Sequence, residues 1–85
     1  MLSVEERCRV QVHERSELAT AIRQASRSGG TIEVDRHLGL CRDDVSWYAM
    51  RAGLYSPKTG YRGPPVDVET RGGVVRSITY HGQGQ

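Results

Sequence analysis

Residues 31–50 constrain the fold more than any other part of the chain, because their apolar side chains are spaced around one glycine. The spacing places five residues on the inside of the fold: Val34, Leu38, Leu40, Val45 and Tyr48. Gly39 divides this set at a position where the chain is expected to turn. The pattern predicts two short helices that pack together across a glycine turn.

The second half of this stretch gives the clearer helix signal. Residues 42–52 place four apolar residues at the spacing i, i+3, i+4 and i+7 of a buried helix face: Val45, Tyr48, Ala49 and Ala52. The opposite face carries Arg42, Asp43, Ser46, Trp47 and Met50. Residues 31–38 are ambiguous: residues 31–34 form either a strand, giving a β-α-β start, or a short strand that runs into a second helix ending at Leu38.

The N-terminal segment predicts a strand followed by a helix. Residues 7–13 alternate, with Cys8, Val10 and Val12 on one face, as in a short, half-buried strand. Ser16 is a favourable N-cap residue for the helix that follows. The apolar stripe of that helix consists of Leu18, Ala21, Ile22 and Ala25, and the helix ends at Gly29-Gly30.

The C-terminal segment predicts a loop and then a β-hairpin. Residues 54–65 contain three prolines and two glycines and are expected to form a loop. Residues 66–80 alternate around Gly72-Gly73, which places Glu69 opposite Arg76 across the strands. The other face of the hairpin would carry Val66, Val68 and Val75. We therefore predict one small α+β domain over residues 1–80 and a disordered tail over residues 81–85.

Composition limits what such a chain can be. The chain has 85 residues, 36% of them apolar and none of them Phe, so its core must be small and built mainly from aliphatic residues. Its net charge is +2, but residues 45–66 contain no acid while they carry Arg51, Lys58 and Arg62. A locally basic surface of this kind attracts phosphate groups. Eleven of the 12 basic residues are Arg, a bias that a GC-rich genome also produces.

Several classes of protein are disfavoured. Two cysteines make no disulfide framework, and there is no long apolar run or signal-peptide pattern, so we expect a cytoplasmic protein that does not enter membranes. Asp43 and Asp44 are adjacent, so on a helix they diverge by about 100° and cannot form a paired acid–base site. We expect a protein that is not an enzyme and binds no cofactor.

The order helix, extended piece, helix, turn, helix, hairpin resembles a winged helix-turn-helix domain over residues 16–80. In that family the ninth position of the motif is glycine, and the fourth, eighth, tenth, fifteenth and eighteenth are apolar. This sequence has Gly39 at the glycine position, and the apolar positions hold Val34, Leu38, Leu40, Val45 and Tyr48. The resemblance implies a helix-turn-helix core with a C-terminal hairpin as the wing and a short N-terminal strand.

The resemblance also implies a partner, duplex DNA, with residues 42–51 as the recognition helix in the major groove. Its groove-facing residues would be Arg42, Asp43, Ser46, Trp47 and Met50. Arg42 would bond guanine and Asp43 a cytosine amine, while Ser46 would bond a base edge or a phosphate.

Other residues would hold the DNA backbone without reading its sequence: Arg51, Lys58, Arg62 and, at the tip of the wing, Arg71. One short helix reads few base pairs, so the implied protein acts as a homodimer or cooperatively. A small transcriptional regulator or a recombination accessory factor fits this description.

The sequence also leads to expectations about the burial of Trp47 and about a metal site. Trp47 lies one position off the apolar stripe, but a chain with one Trp and no Phe needs its indole in the core, so we expect Trp47 to be buried. Cys8, His13, His37 and Cys41 are residues of zinc-ligand type, but their spacing matches no zinc module, so we predict no metal site.

A protein-binding module is the alternative, such as an inhibitor, antitoxin or adaptor that docks on a larger protein. The near-neutral net charge and the tyrosines Tyr55 and Tyr61 fit this alternative. Asp35 discriminates between DNA binding and protein binding, because a buried acid between two helices would damage the packing of a helix-turn-helix motif. An extended strand at residues 31–35, beside residues 8–12, would remove the helix pair and favour the alternative. Binding of single-stranded RNA ranks last, since only Tyr80 lies on an expected strand.

Overall fold

The computed structural model describes residues 9–81 and has an α+β fold, as predicted. Its two helices are α1 (Leu18–Ser28) and α2 (Arg42–Arg51). Its strands are β1 (Val10–Val12), β2 (Gly30–Val34), β3 (Tyr55–Ser56), β4 (Gly60–Tyr61), β5 (Val66–Arg71) and β6 (Val74–Tyr80). Two 3₁₀ turns, Arg15–Glu17 and Arg36–Leu38, stand shortly before the helices.

Four strands form one mixed sheet in the order β1-β2-β6-β5. Helix α1 connects the parallel strands β1 and β2, and the pairs β2–β6 and β6–β5 are antiparallel. One face of the sheet packs against α1 and α2. The core between them contains Leu18, Ile22, Leu40, Val45, Ile32, Ile78, Val75 and Tyr80. Strands β3 and β4 form a separate two-stranded sheet.

Residues 31–34 form part of a strand, so their interpretation as part of a helix pair is wrong. Ile32 and Val34 alternate with Thr31 and Glu33, and this period of two buries Ile32 and Val34 in the core. Strand β2 is paired on both edges, with β1 and with β6. These partners lie far away in the chain, which is why the local composition left the choice between strand and helix open.

The turn at Gly39 is confirmed. Gly39 has a φ of +61°, a left-handed conformation that glycine adopts without strain. It follows the 3₁₀ turn and leads to α2, whose first residue is Arg42. The N–H of Val75 donates to the carbonyl of Leu40 (2.7 Å), which ties this turn to the hairpin β5–β6.

Helix α1 has the predicted apolar stripe and the predicted end. Leu18, Ile22 and Ala25 are buried, and Gly29 forms the C-cap with a φ of 78°. The predicted N-cap is wrong, because Ser16 lies inside the 3₁₀ turn and Glu17 occupies the N-cap position, where its side chain makes no capping hydrogen bond to the helix.

The C-terminal hairpin is confirmed, but its register differs from the prediction. Glu69 pairs with Ser77 rather than with Arg76, because a bulge between Glu69 and Thr70 shifts the register next to the turn. The expected loop at residues 54–65 contains the short strands β3 and β4. His81, the first residue of the expected disordered tail, is held against the fold: its N–H donates to the carbonyl of Pro65 (3.0 Å). Residues 82–85, like Cys8, lie outside the described residues.

Candidate nucleic-acid interface

The outer face of helix α2 presents the predicted recognition residues to solvent. Val45 and Ala49 are buried and face the core, whereas the opposite side is exposed. The exposed residues of that side are Arg42, Asp43, Ser46, Trp47 and Met50. The helical periodicity of the sequence therefore gave the correct orientation of α2.

Trp47 is exposed, which corrects the prediction that its indole is in the core. Its side chain is 48% exposed, and the large aromatic ring in the core belongs to Tyr80, which is 1% exposed. The Trp47 ring meets the ring of Tyr48 edge to face, with 4.9 Å between their centroids. The guanidinium of Arg51 lies 5.0 Å from the centroid of the Trp47 ring, a cation–π arrangement.

Arg42 lies on the side of α2 that faces the hairpin β5–β6. A guanidinium N–H of Arg42 donates to the carbonyl of Val68 on β5 (3.1 Å). This bond uses one of the five N–H donors of the guanidinium. Arg71 is exposed at the end of β5, directly before the Gly72-Gly73 turn.

Arg62 lies at the other end of α2. Its backbone N–H donates to the carbonyl of Leu54 (2.7 Å), and the N–H of Leu54 donates to the carbonyl of Ala49 (2.9 Å). The segment after β4 is thereby held against the C-terminal end of the helix. Lys58 is exposed in the turn between β3 and β4.

Helix α1 adds two arginines that the sequence analysis missed, Arg23 and Arg27. Arg23 donates from its guanidinium to the carbonyl of Arg51 (3.4 Å), so α1 reaches the C-terminal end of α2. A concave pocket of about 310 Å³ lies there. It is lined by Arg23, Ser26, Arg27, Ala52, Leu54, Arg62, Gly63 and Pro64.

Four arginines lie around the C-terminal end of α2, and we call them the basic face: Arg23, Arg27, Arg51 and Arg62. None of the four forms a salt bridge within residues 9–81. The reason is visible in the sequence, since residues 18–32 and 45–66 contain no Asp or Glu, and the fold packs α1 against α2. The charge balance along the chain does not indicate this cluster of arginines, because residues 1–44 carry one more acidic than basic residue.

Three acidic residues lie on the outer face of the sheet. Glu33, Asp67 and Glu69 alternate with core residues along β2 and β5, so they lie on the sheet face that points away from the helices. Glu33 pairs with Arg9, and Asp67 accepts from a ring nitrogen of His81 at 2.8 Å. The outer sheet face thus carries these three acids, whereas the basic face lies on the helix side, where α2 also carries Asp43 and Asp44.

Asp35 connects two of the histidines of zinc-ligand type. His37 Nδ1 lies 2.7 Å from Asp35 Oδ1, and His13 Nδ1 lies 3.2 Å from Asp35 Oδ2. The backbone N–H of His37 also donates to this carboxylate (3.0 Å), and these hydrogen bonds hold the pKa of Asp35 well below its usual range. Cys41 precedes α2, where its N–H donates to Asp44 (2.9 Å). Within residues 9–81, no group of three or more His, Cys, Asp or Glu residues is arranged to hold a metal ion.

Comparison of the chain with protein-family models, with curated proteins and with solved structures finds no match. In the described part of the chain, neither helix has the length and apolar character needed to cross a bilayer.

Proposed function

We propose that this protein binds duplex DNA through helix α2 and the basic face beside it. The observation that carries the proposal is the set of four arginines, free of carboxylate partners in the described structure, next to an exposed helix face. Arginine guanidinium groups bind phosphate oxygens and guanine edges with two parallel hydrogen bonds. Such phosphate contacts supply essentially all of the non-specific affinity of proteins for DNA.

The order of the elements is compatible with the proposal, although strand β2 removes the α-helical pair of the motif. A helix, a strand, a turn at Gly39, a second helix and a hairpin follow each other as in the winged helix-turn-helix family, with a 3₁₀ turn in place of the middle helix. Asp35 does not lie between two helices; it accepts the N–H of His37 at the end of β2, where it costs no core packing. Helix α2 and the hairpin therefore remain available as recognition helix and wing.

Each element would then have its own task on the DNA. Arg42 would bond guanine with the N–H donors that Val68 leaves free, and Asp43 would accept from a cytosine amine. Ser46 and Trp47 would complete the contact in the groove. Backbone phosphates would be held by Arg51, Lys58, Arg62 and, at the hairpin tip, Arg71. A small transcriptional regulator or recombination accessory factor, working in the cytoplasm as a homodimer or cooperatively, fits these roles.

Two substitutions separate base reading from backbone binding. After selection of a preferred site, Arg42→Ala should weaken binding to that site by about 1–3 kcal/mol and binding to a scrambled duplex much less, because a bidentate contact to a base is lost. Arg62→Ala should weaken binding to both duplexes alike. Fluorescence anisotropy with the two duplexes measures both effects. Equal losses from both substitutions on both duplexes would contradict α2 as the reading element.

A protein-binding module is the second candidate, and two observations favour it. Residues 31–34 form strand β2 beside β1, which removes the α-helical pair of the motif. Trp47 and Met50 are exposed on α2 at 48% and 38%, and a large exposed aromatic ring is a frequent anchor of protein interfaces. The absence of DNA binding at low salt, together with capture of a specific protein that Trp47→Ala loses, would favour this candidate.

A further inference from the structure

The pocket in the basic face has the composition of a phosphate site. It has a volume of about 310 Å³, and three arginines from two distant segments of the chain line it. Arg23 and Arg27 lie one turn apart on α1, and Arg62 follows β4. No carboxylate lines the pocket to neutralise these three charges.

The wall that carries Arg62 is held in place by hydrogen bonds. The backbone N–H of Arg62 donates to Leu54, and the hydroxyl of Tyr61 donates to the carbonyl of Pro64 (2.7 Å). Gly63 fits tightly between them, because a Cβ there would lie 2.5 Å from the Tyr61 hydroxyl oxygen. Arg62 is therefore attached to a fixed segment rather than to a free loop.

The opposite wall is equally well supported. Arg23 is half-buried and donates to the carbonyl of Arg51, a bond that leaves its other N–H donors free for a ligand. The hydroxyl of Ser26 donates to the carbonyl of Arg23 (2.9 Å), so this hydroxyl supplies no donor to the pocket. The guanidinium groups are the side-chain donors that remain, and they bind carboxylate and phosphate oxygens alike. Phosphate suits three arginines better, because a phosphate dianion neutralises more positive charge than a carboxylate does.

We propose that this pocket binds one phosphate group with Arg23, Arg27 and Arg62. The phosphate comes either from a small phosphate ester or from the DNA backbone, and the second source rests on the proposed function. A backbone phosphate seated here would fix the position of the nearby α2 along the groove, since phosphate contacts set register.

Titration of the ¹⁵N-labelled protein with inorganic phosphate, at constant ionic strength in chloride, tests the pocket. We expect saturable shifts of the amide signals of Ser26 and Gly63. The double variant Arg27→Gln/Arg62→Gln should raise the dissociation constant for phosphate about tenfold or more, because two charge-assisted hydrogen bonds are lost. Arg76→Gln is the matched control, since Arg76 belongs to a different surface near Glu33 and Asp35.

The outcomes separate this inference from the proposed function. Amide shifts that do not saturate, or that persist in the double variant, would overturn the phosphate pocket, even if duplex DNA still binds. Saturable phosphate binding without any duplex binding would support a site for a small phosphate ester and reject the backbone source. Phosphate that competes with duplex DNA, with both lost in the double variant and kept in Arg76→Gln, would support the backbone source.

Discussion

The structural role of Asp35 depends on the residues that surround it in the folded chain. From the sequence, an acid at this position is an objection to the helix-turn-helix motif. In the structure Asp35 directly follows strand β2, accepts the N–H of His37 and contacts the rings of His13 and His37. Partners 22 residues apart in the chain, His13 and Asp35, meet only because β1 and β2 are parallel neighbours. No local pattern could have predicted that contact.

The lowered pKa of Asp35 predicts how stability depends on pH. Because the folded pKa lies below the unfolded value of 3.8, the carboxylate contributes stability that is complete above that value. This contribution is lost as the pH falls through the unfolded pKa towards the folded one. We expect the denaturation midpoint of the wild type to fall more steeply than that of Asp35→Asn between about pH 5 and pH 3.

Urea unfolding followed by circular dichroism at both pH values measures this difference. Asp67→Asn is a suitable control, because Asp67 is also paired with a histidine, whereas within residues 9–81 no backbone N–H donates to its carboxylate. Parallel pH profiles for the wild type and Asp35→Asn would contradict the hydrogen bonding described for Asp35.

The helices and the hairpin could be predicted from the sequence because each has a strong local period. The apolar stripe of α1, the i, i+3, i+4, i+7 face of α2 and the glycine pair between β5 and β6 all hold in the structure. Strand β2 was ambiguous, since its five residues are too short for a period to decide and its pairing partners are distant. Strands β3 and β4, two residues each, have no sequence signal of their own.

The turn before α2 yields a prediction about stability. Gly39 has a φ of +61° and no atom within 4 Å of the position of a Cβ, so a substitution there meets backbone strain but no steric clash. Gly39→Ala should lower the free energy of unfolding by about 1–2 kcal/mol. Gly39→Asn should cost less, because Asn tolerates the left-handed region. Chemical denaturation measures both values, and equal costs for Ala and Asn would contradict a cause in backbone conformation.

The distribution of charge becomes visible only in the folded molecule. The sequence indicated the part of the candidate site that is continuous in the chain, the outer face of α2 with Arg51 and Arg62. It gave no indication of Arg23 and Arg27, because they lie in the half of the chain whose acids outnumber its bases. The fold packs α1 against α2 and brings the two arginines beside the C-terminal end of α2. The site therefore depends on tertiary packing as much as on local pattern.

The salt dependence of duplex DNA binding tests the central claim, that the basic face binds the phosphate backbone. Fluorescence anisotropy over a range of salt concentrations gives the slope of log K against log salt for the wild type, for Arg27→Gln/Arg51→Gln/Arg62→Gln and for the control Arg76→Gln. Each phosphate contact contributes about 0.9 to the steepness of that slope. We predict that the triple variant flattens the slope by about two to three while the control leaves it unchanged. Equal slopes for the wild type and the triple variant, or no binding of the wild type at low salt, would contradict the account.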